Sequence, residues 1–63
     1  MTEQDAFYYA FLALEQSISK EHEMLRSYQL NGGFDDSYIA SRLQNVANYK
    51  KAISTLNQLR VTI

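Results

Sequence analysis

The sequence predicts an all-α protein, an antiparallel two-helix hairpin that dimerises into a four-helix bundle. Proline is absent, and the only two glycines stand together as Gly32 and Gly33, so the chain offers one obvious place for a turn. Apolar residues recur at helical spacing on both sides of that pair. Because the chain has 63 residues and no cysteine, association is the remaining means of completing its core.

The first helix is predicted over about residues 3–30. Thr2 and Asp5 have the spacing of a capping box, in which each side chain accepts a hydrogen bond from the other residue's backbone N–H. Glu21 occupies a core slot, where a polar side chain either fixes register or oligomeric state or tilts outward at the bundle edge. The apolar stripe around it is formed by Phe7, Phe11, Leu14, Ile18, Leu25 and Tyr28.

The turn is predicted at residues 31–34 and the second helix over about residues 36–61. Asn31 or Gly32 can take the left-handed conformation that ends a helix. Asp35 is the expected N-cap, and Phe34 and Ile39 have the spacing of a hydrophobic staple around it. The second stripe is formed by Ile39, Leu43, Val46, Tyr49, Ile53, Leu56 and Ile63, with Lys50 and Leu59 at its margins.

A tight connection makes two long helices antiparallel, so residues whose numbers add to about 65 are expected to lie opposite one another. Glu15 then faces Lys50 at the edge of the seam between the helices. Residues 1–30 carry a net charge of −3, and residues 34–63 carry a net charge of +2. The acidic first helix is therefore complementary to the basic second helix, both within one chain and between two copies.

Residues 6–14 are apolar or aromatic at every position, so the first helix has more apolar surface than a single neighbouring helix can cover. We expect this surface to form a homodimer interface through Phe7, Tyr8, Tyr9, Phe11 and Leu12. Two alternatives stay open. The tyrosine rings can lie half covered at the surface, or a different protein can dock on them.

The chain is not expected to be an enzyme, and no catalytic, cofactor-binding or metal-binding residue is predicted. His22 has no carboxylate three or four positions away, as a metal site on one helix face would require. Asp35 and Asp36 are explained by capping of the second helix. The acidic start, the short apolar run and the lack of cysteine favour the cytoplasm, with no membrane partner.

Polar and basic residues of the second helix are expected to form an outer face that is free for a partner protein. These residues are Arg42, Asn45, Asn48 and Lys51. The alternative function is a small nucleic-acid-binding regulator that uses this basic side of the second helix. It is the weaker prediction because the chain has a net charge of −1 and few cations.

Its length, its lack of cysteine and proline, and its tyrosine-rich start DAFYYAF give the chain a resemblance to small accessory proteins of lambdoid phage early regions, encoded between exonuclease and excisionase. The resemblance implies a non-enzymatic protein that binds a host or phage factor in the host cytoplasm and alters host physiology. The layout is also similar to that of Rop-type helical-hairpin dimers. The positions that match the Rop-type RNA face are Glu3, Ala10, Leu14, Ile18 and Leu25. None has the chemistry needed, so RNA binding is not implied.

Overall fold

The structure, a computed structural model, describes residues 1–62 as two helices joined by a short turn. Helix α1 spans Glu3–Leu30 and helix α2 spans Asp36–Thr62. The predicted all-helical fold is confirmed, and the described part of the chain contains no strand. Ile63, the last residue of the predicted second stripe, lies outside the described residues.

Helix α1 begins with the predicted capping box. The Asp5 N–H donates to Thr2 Oγ1 at 3.2 Å, and the Thr2 N–H donates to Asp5 Oδ2 at 3.1 Å. Two backbone donors at the start of the helix are thereby satisfied, and the carboxylates of Glu3 and Asp5 lie at the positive end of the helix dipole.

Helix α1 ends in a Schellman motif built on the two glycines. Gly32 has a φ of 83°, and its N–H donates to Gln29 O at 3.1 Å. The Gly33 N–H donates to Tyr28 O at 2.9 Å, which completes the motif. Of the two residues that the sequence left open for the left-handed position, the structure therefore uses Gly32.

Helix α2 is capped by Asp35, whose Oδ1 accepts from the Ser37 N–H at 2.9 Å. The predicted hydrophobic staple is wrong, because Phe34 is 83% exposed. Tyr28 holds the turn instead. Its hydroxyl accepts from the Asp35 N–H at 2.9 Å, and its ring packs on Tyr38 with centroids 4.1 Å apart.

The two helices meet in the predicted antiparallel register. Glu21 contacts Arg42 and Asn45, so opposed residues have numbers that add to about 65. The first stripe faces α2 as predicted, and its apolar members are half-buried: Phe7, Phe11, Leu14, Ile18, Leu25 and Tyr28. Leu43 departs from the second predicted stripe, because it is 48% exposed while its neighbour Arg42 faces α1.

The hairpin is a single elongated layer with extents of 46 × 18 × 10 Å. Its Cα radius of gyration is 14.7 Å, compared with about 11 Å for a globular chain of this length. Among residues 1–62, Val46 at 7% exposure is the only buried apolar residue, and no side chain is fully buried. One copy of the chain therefore has an incomplete core.

Candidate functional site

Six of the buried or half-buried apolar residues, three on each helix, form one regular series along the hairpin. They recur every seven residues, which keeps them on one side of a helix in a bundle. We call this surface the aliphatic face and define it by Phe11, Ile18 and Leu25 of α1 and Ile39, Val46 and Ile53 of α2. The two series lie opposite one another in the register above, so the face runs along most of the hairpin.

Exposed residues line both edges of the aliphatic face, again at seven-residue spacing. The α1 margin consists of Tyr8, Glu15, His22 and Gln29, and the α2 margin consists of Asp36, Leu43, Lys50 and Asn57. Glu15 and Lys50 lie at the same level, as the register predicts, but they do not form an ion pair with each other among the described residues. Each margin therefore keeps a charged side chain at mid-length.

The seam between the two helices also contains a buried ion pair. Glu21 is 8% exposed, and its Oε2 lies 3.2 Å from Arg42 Nη1. Its Oε1 accepts from Arg42 Nη1 and from Asn45 Nδ2, both at 3.4 Å. The geometry is imperfect, since Oε2 lacks hydrogen-bond alignment and Arg42 Nε has no acceptor within residues 1–62.

Tyr38 and Met24 complete the surroundings of the Arg42 guanidinium. The guanidinium carbon lies 5.5 Å from the centroid of the Tyr38 ring, and Nη1 lies 3.9 Å from the Met24 sulfur. Arg42 is therefore held by an aromatic ring, a carboxylate and a thioether, and 24% of its side chain remains exposed. Of the two alternatives left open for Glu21, the structure shows the inward one.

The predicted outer face of α2 is corrected by this cluster. The prediction that Arg42 and Asn45 lie on a free surface is wrong, because both are half-buried and bound to Glu21. Their positions fall in the seam or next to it when the helix turns once every 3.6 residues. Asn48 and Lys51 are exposed, and Asn48 accepts from Gln44 Nε2 at 3.0 Å.

The remaining cations of α2 do not form a shared basic stripe. Arg60 lies over the Phe11 ring, with its guanidinium carbon 5.2 Å from the ring centroid. Lys50 and Lys51 are consecutive, so their side chains lie about 100° apart around the helix. Because Arg42 is held by Glu21, the geometry gives little support to a nucleic-acid surface on α2.

The structure divides the predicted dimer interface into two parts. Phe7 and Phe11 are half-buried against α2, and their rings stack with centroids 6.5 Å apart. Tyr8, Tyr9 and Leu12, which we call the aromatic patch, lie away from α2 and are 62%, 60% and 36% exposed. The five residues therefore do not share one surface.

His22 is exposed and lies on the α1 margin. No group of three or more potential metal ligands occurs within the described part of the chain. Neither α1 nor α2 is long and apolar enough to cross a membrane.

Sequence periodicity predicts the residues of the aliphatic face only as members of the seam. The seven-residue spacing that defines this face can nevertheless be read from the sequence.

Comparison of the chain with protein-family models, with curated proteins and with solved structures finds no match.

Proposed function

We propose that the chain is a non-enzymatic, homodimeric interaction protein in which two hairpins join their aliphatic faces to form a four-helix bundle. The observation that carries the proposal is the incomplete core. Apart from Val46, the residues that define the aliphatic face are only half-buried in one copy. Apolar side chains at bundle positions are stabilising when a second layer of helices removes them from water.

The exposed area of one hairpin supports a second hairpin of the same size as its partner. The hairpin exposes 4867 Å², whereas a globular protein of its mass exposes about 4,200 Å². The excess of about 700 Å² is close to the ~800 Å² that each partner buries in a stable interface of standard size. A second hairpin of the same dimensions would cover this area.

Charge complementarity favours a second copy of the chain as the occupant. α1 is acidic and α2 is basic, so each copy offers the other both an acidic and a basic helix. In a symmetric dimer, Glu15 and Lys50 supply these charges at the edge of the apolar contact.

The resemblance to phage early-region accessory proteins extends the proposal to a role. In this role the dimer binds a host or phage protein in the host cytoplasm and modulates host physiology. Tyr8 of the aromatic patch borders an interface formed by the aliphatic faces, whereas Tyr9 and Leu12 of the patch stay outside it. Tyrosine is enriched at protein interfaces, and this composition supports a further protein contact there.

Sedimentation equilibrium tests the dimer with two matched substitutions. We expect the wild-type chain to have twice its monomer mass of 7.3 kDa. Leu43 and Leu59 are 48% and 49% exposed on the same helix, but Leu43 borders the aliphatic face and Leu59 does not. Leu43→Glu should weaken the dimer by about 100-fold, because it places a charge against an apolar interface, whereas Leu59→Glu should leave the dimer intact.

Leu12→Glu tests whether the aromatic patch, rather than the aliphatic face, forms the dimer interface. We expect the dimer to persist in this variant, since Leu12 lies on the side of α1 that faces away from α2. Loss of the dimer in Leu12→Glu with retention in Leu43→Glu would move the interface to the aromatic patch and overturn the assignment. A folded wild-type monomer at high concentration would overturn the dimer itself.

A further inference from the structure

We propose that the two copies are related by a twofold axis parallel to the helices, so that both turns lie at the same end of the bundle. This inference rests on the dimer proposed above. Only two closed twofold arrangements bring the aliphatic faces together. In the first, the axis runs along the bundle, and α1 packs on α2 of the partner subunit. In the second, the axis is perpendicular to the helices, and α1 packs on α1 of the partner subunit.

The charges on the helices distinguish the two arrangements. Glu21 and Arg42 neutralise one another inside each seam. The remaining charges give α1 a net charge of −2 and α2 a net charge of +2. A perpendicular axis places like-charged helices side by side in both contacts between copies. A parallel axis places opposite charges side by side in both of them, and this complementarity selects orientation.

The margins of the aliphatic face support the same choice. A twofold axis along the bundle keeps every residue at its own level, so residues that lie opposite each other within a chain are also level between copies. Glu15 of one copy is then level with Lys50 of the partner subunit, and the pair occurs twice by symmetry. Neither residue has an ion-pair partner in its own chain among the described residues, so both charges are free for this contact.

The other margin positions are compatible with this arrangement. Tyr8 is level with Asn57 of the partner subunit, and Gln29 is level with Asp36 of the partner subunit. Neither pair places like charges together. Leu43 is level with His22 of the partner subunit, which provides a partly apolar ring for its exposed side chain. The arrangement also places both aromatic patches at the end of the bundle that lies away from the turns.

Distances between spin labels test the axis directly. The chain has no cysteine, so Phe34→Cys introduces a single labelling site, and Phe34 is 83% exposed in the turn. Helices in a bundle lie about 8–10 Å apart, so a parallel axis should give a separation within about 30 Å by pulsed electron paramagnetic resonance. A perpendicular axis places the labels at opposite ends of a hairpin that is 46 Å long.

Asn48→Cys is the matched control, since Asn48 is exposed near the middle of α2. Its labels lie near mid-length with either axis, so a dipolar signal from this variant verifies that the labelled protein is dimeric. A short Phe34→Cys distance supports the proposal. A Phe34→Cys separation near 46 Å, together with a dipolar signal from the control, overturns the orientation and leaves the dimer standing. Monomeric mass and no dipolar signal in both variants overturn the dimer and, with it, the arrangement.

Discussion

Replacement of Arg42 by leucine tests the energetic role of the buried ion pair. The Glu21 side chain is only 10% exposed, and Arg42→Leu removes its contact at 3.2 Å and one of its two hydrogen bonds. Asn45, at 3.4 Å, remains the single donor to the carboxylate. Loss of one partner of a fully buried pair costs about 3–5 kcal/mol. Since 24% of the Arg42 side chain is exposed, we expect a loss of about 2 kcal/mol in the free energy of unfolding.

The double variant Glu21→Leu/Arg42→Leu should recover this loss. Two leucines fill the seam with apolar groups and leave no buried charge, and such replacements are often neutral or stabilising by about 1–4 kcal/mol. Glu21→Leu alone should cost less than Arg42→Leu, because the partly exposed guanidinium can turn towards water. The non-additivity of the three variants measures the coupling between the two side chains.

Urea unfolding followed by far-ultraviolet circular dichroism gives the required free energies. The titrations should be made at several protein concentrations, because the unfolding of a dimer depends on concentration. Lys51→Leu is the control, since it removes an exposed cation of the same helix that has no ion pair within residues 1–62. If Arg42→Leu and Lys51→Leu change the stability equally, the view that the Glu21 carboxylate depends on Arg42 is wrong.

Three further substitutions test the ends of the helices by the same urea titration. Gly32→Ala should cost about 1–2 kcal/mol, because a Cβ is unfavourable at a φ of 83°. Gly33→Ala should cost more, since its Cβ would overlap the Tyr28 ring; a smaller loss than for Gly32→Ala would contradict that packing. Thr2→Ala should cost about 1 kcal/mol by removing the capping box, and an unchanged stability would mean that the first turn is frayed in solution.

The local features of the fold could be predicted because each depends on a few neighbouring residues. The capping box needs only Thr2 and Asp5, and the N-cap of α2 needs only Asp35 and the N–H groups that follow it. The end of α1 follows from Gly32, since glycine takes a positive φ without a steric penalty. The staple failed because Tyr28, seven residues before Asp35, reaches across the turn and bonds to its backbone.

The rotation of α2 could not be predicted from its own pattern. Apolar residues occur both in the seam and on the aliphatic face, so periodicity defines a wide apolar surface without showing which part of it meets α1. Periodicity alone predicts Leu43 for the seam, whereas the structure places Arg42 there. The contact that distinguishes the two rotations of α2 joins Arg42 to Glu21, which lies 21 positions away in the chain. The local sequence pattern carries no information about a contact over this separation.

The contact between Glu21 and Arg42 explains how a buried ion pair and the aliphatic face occur together in so small a protein. The tight turn already fixes the level at which the helices meet, so Glu21 and Arg42 are not needed for register within the chain. Their pairing places Arg42 towards α1, and the next residue, Leu43, lies exposed at the margin of the aliphatic face. We expect a leucine pair in the seam to be neutral or stabilising and to remove the polar contact that holds Arg42, rather than Leu43, towards α1. In the proposed dimer, the ion pair therefore gives up some stability of the hairpin to keep its association surface exposed.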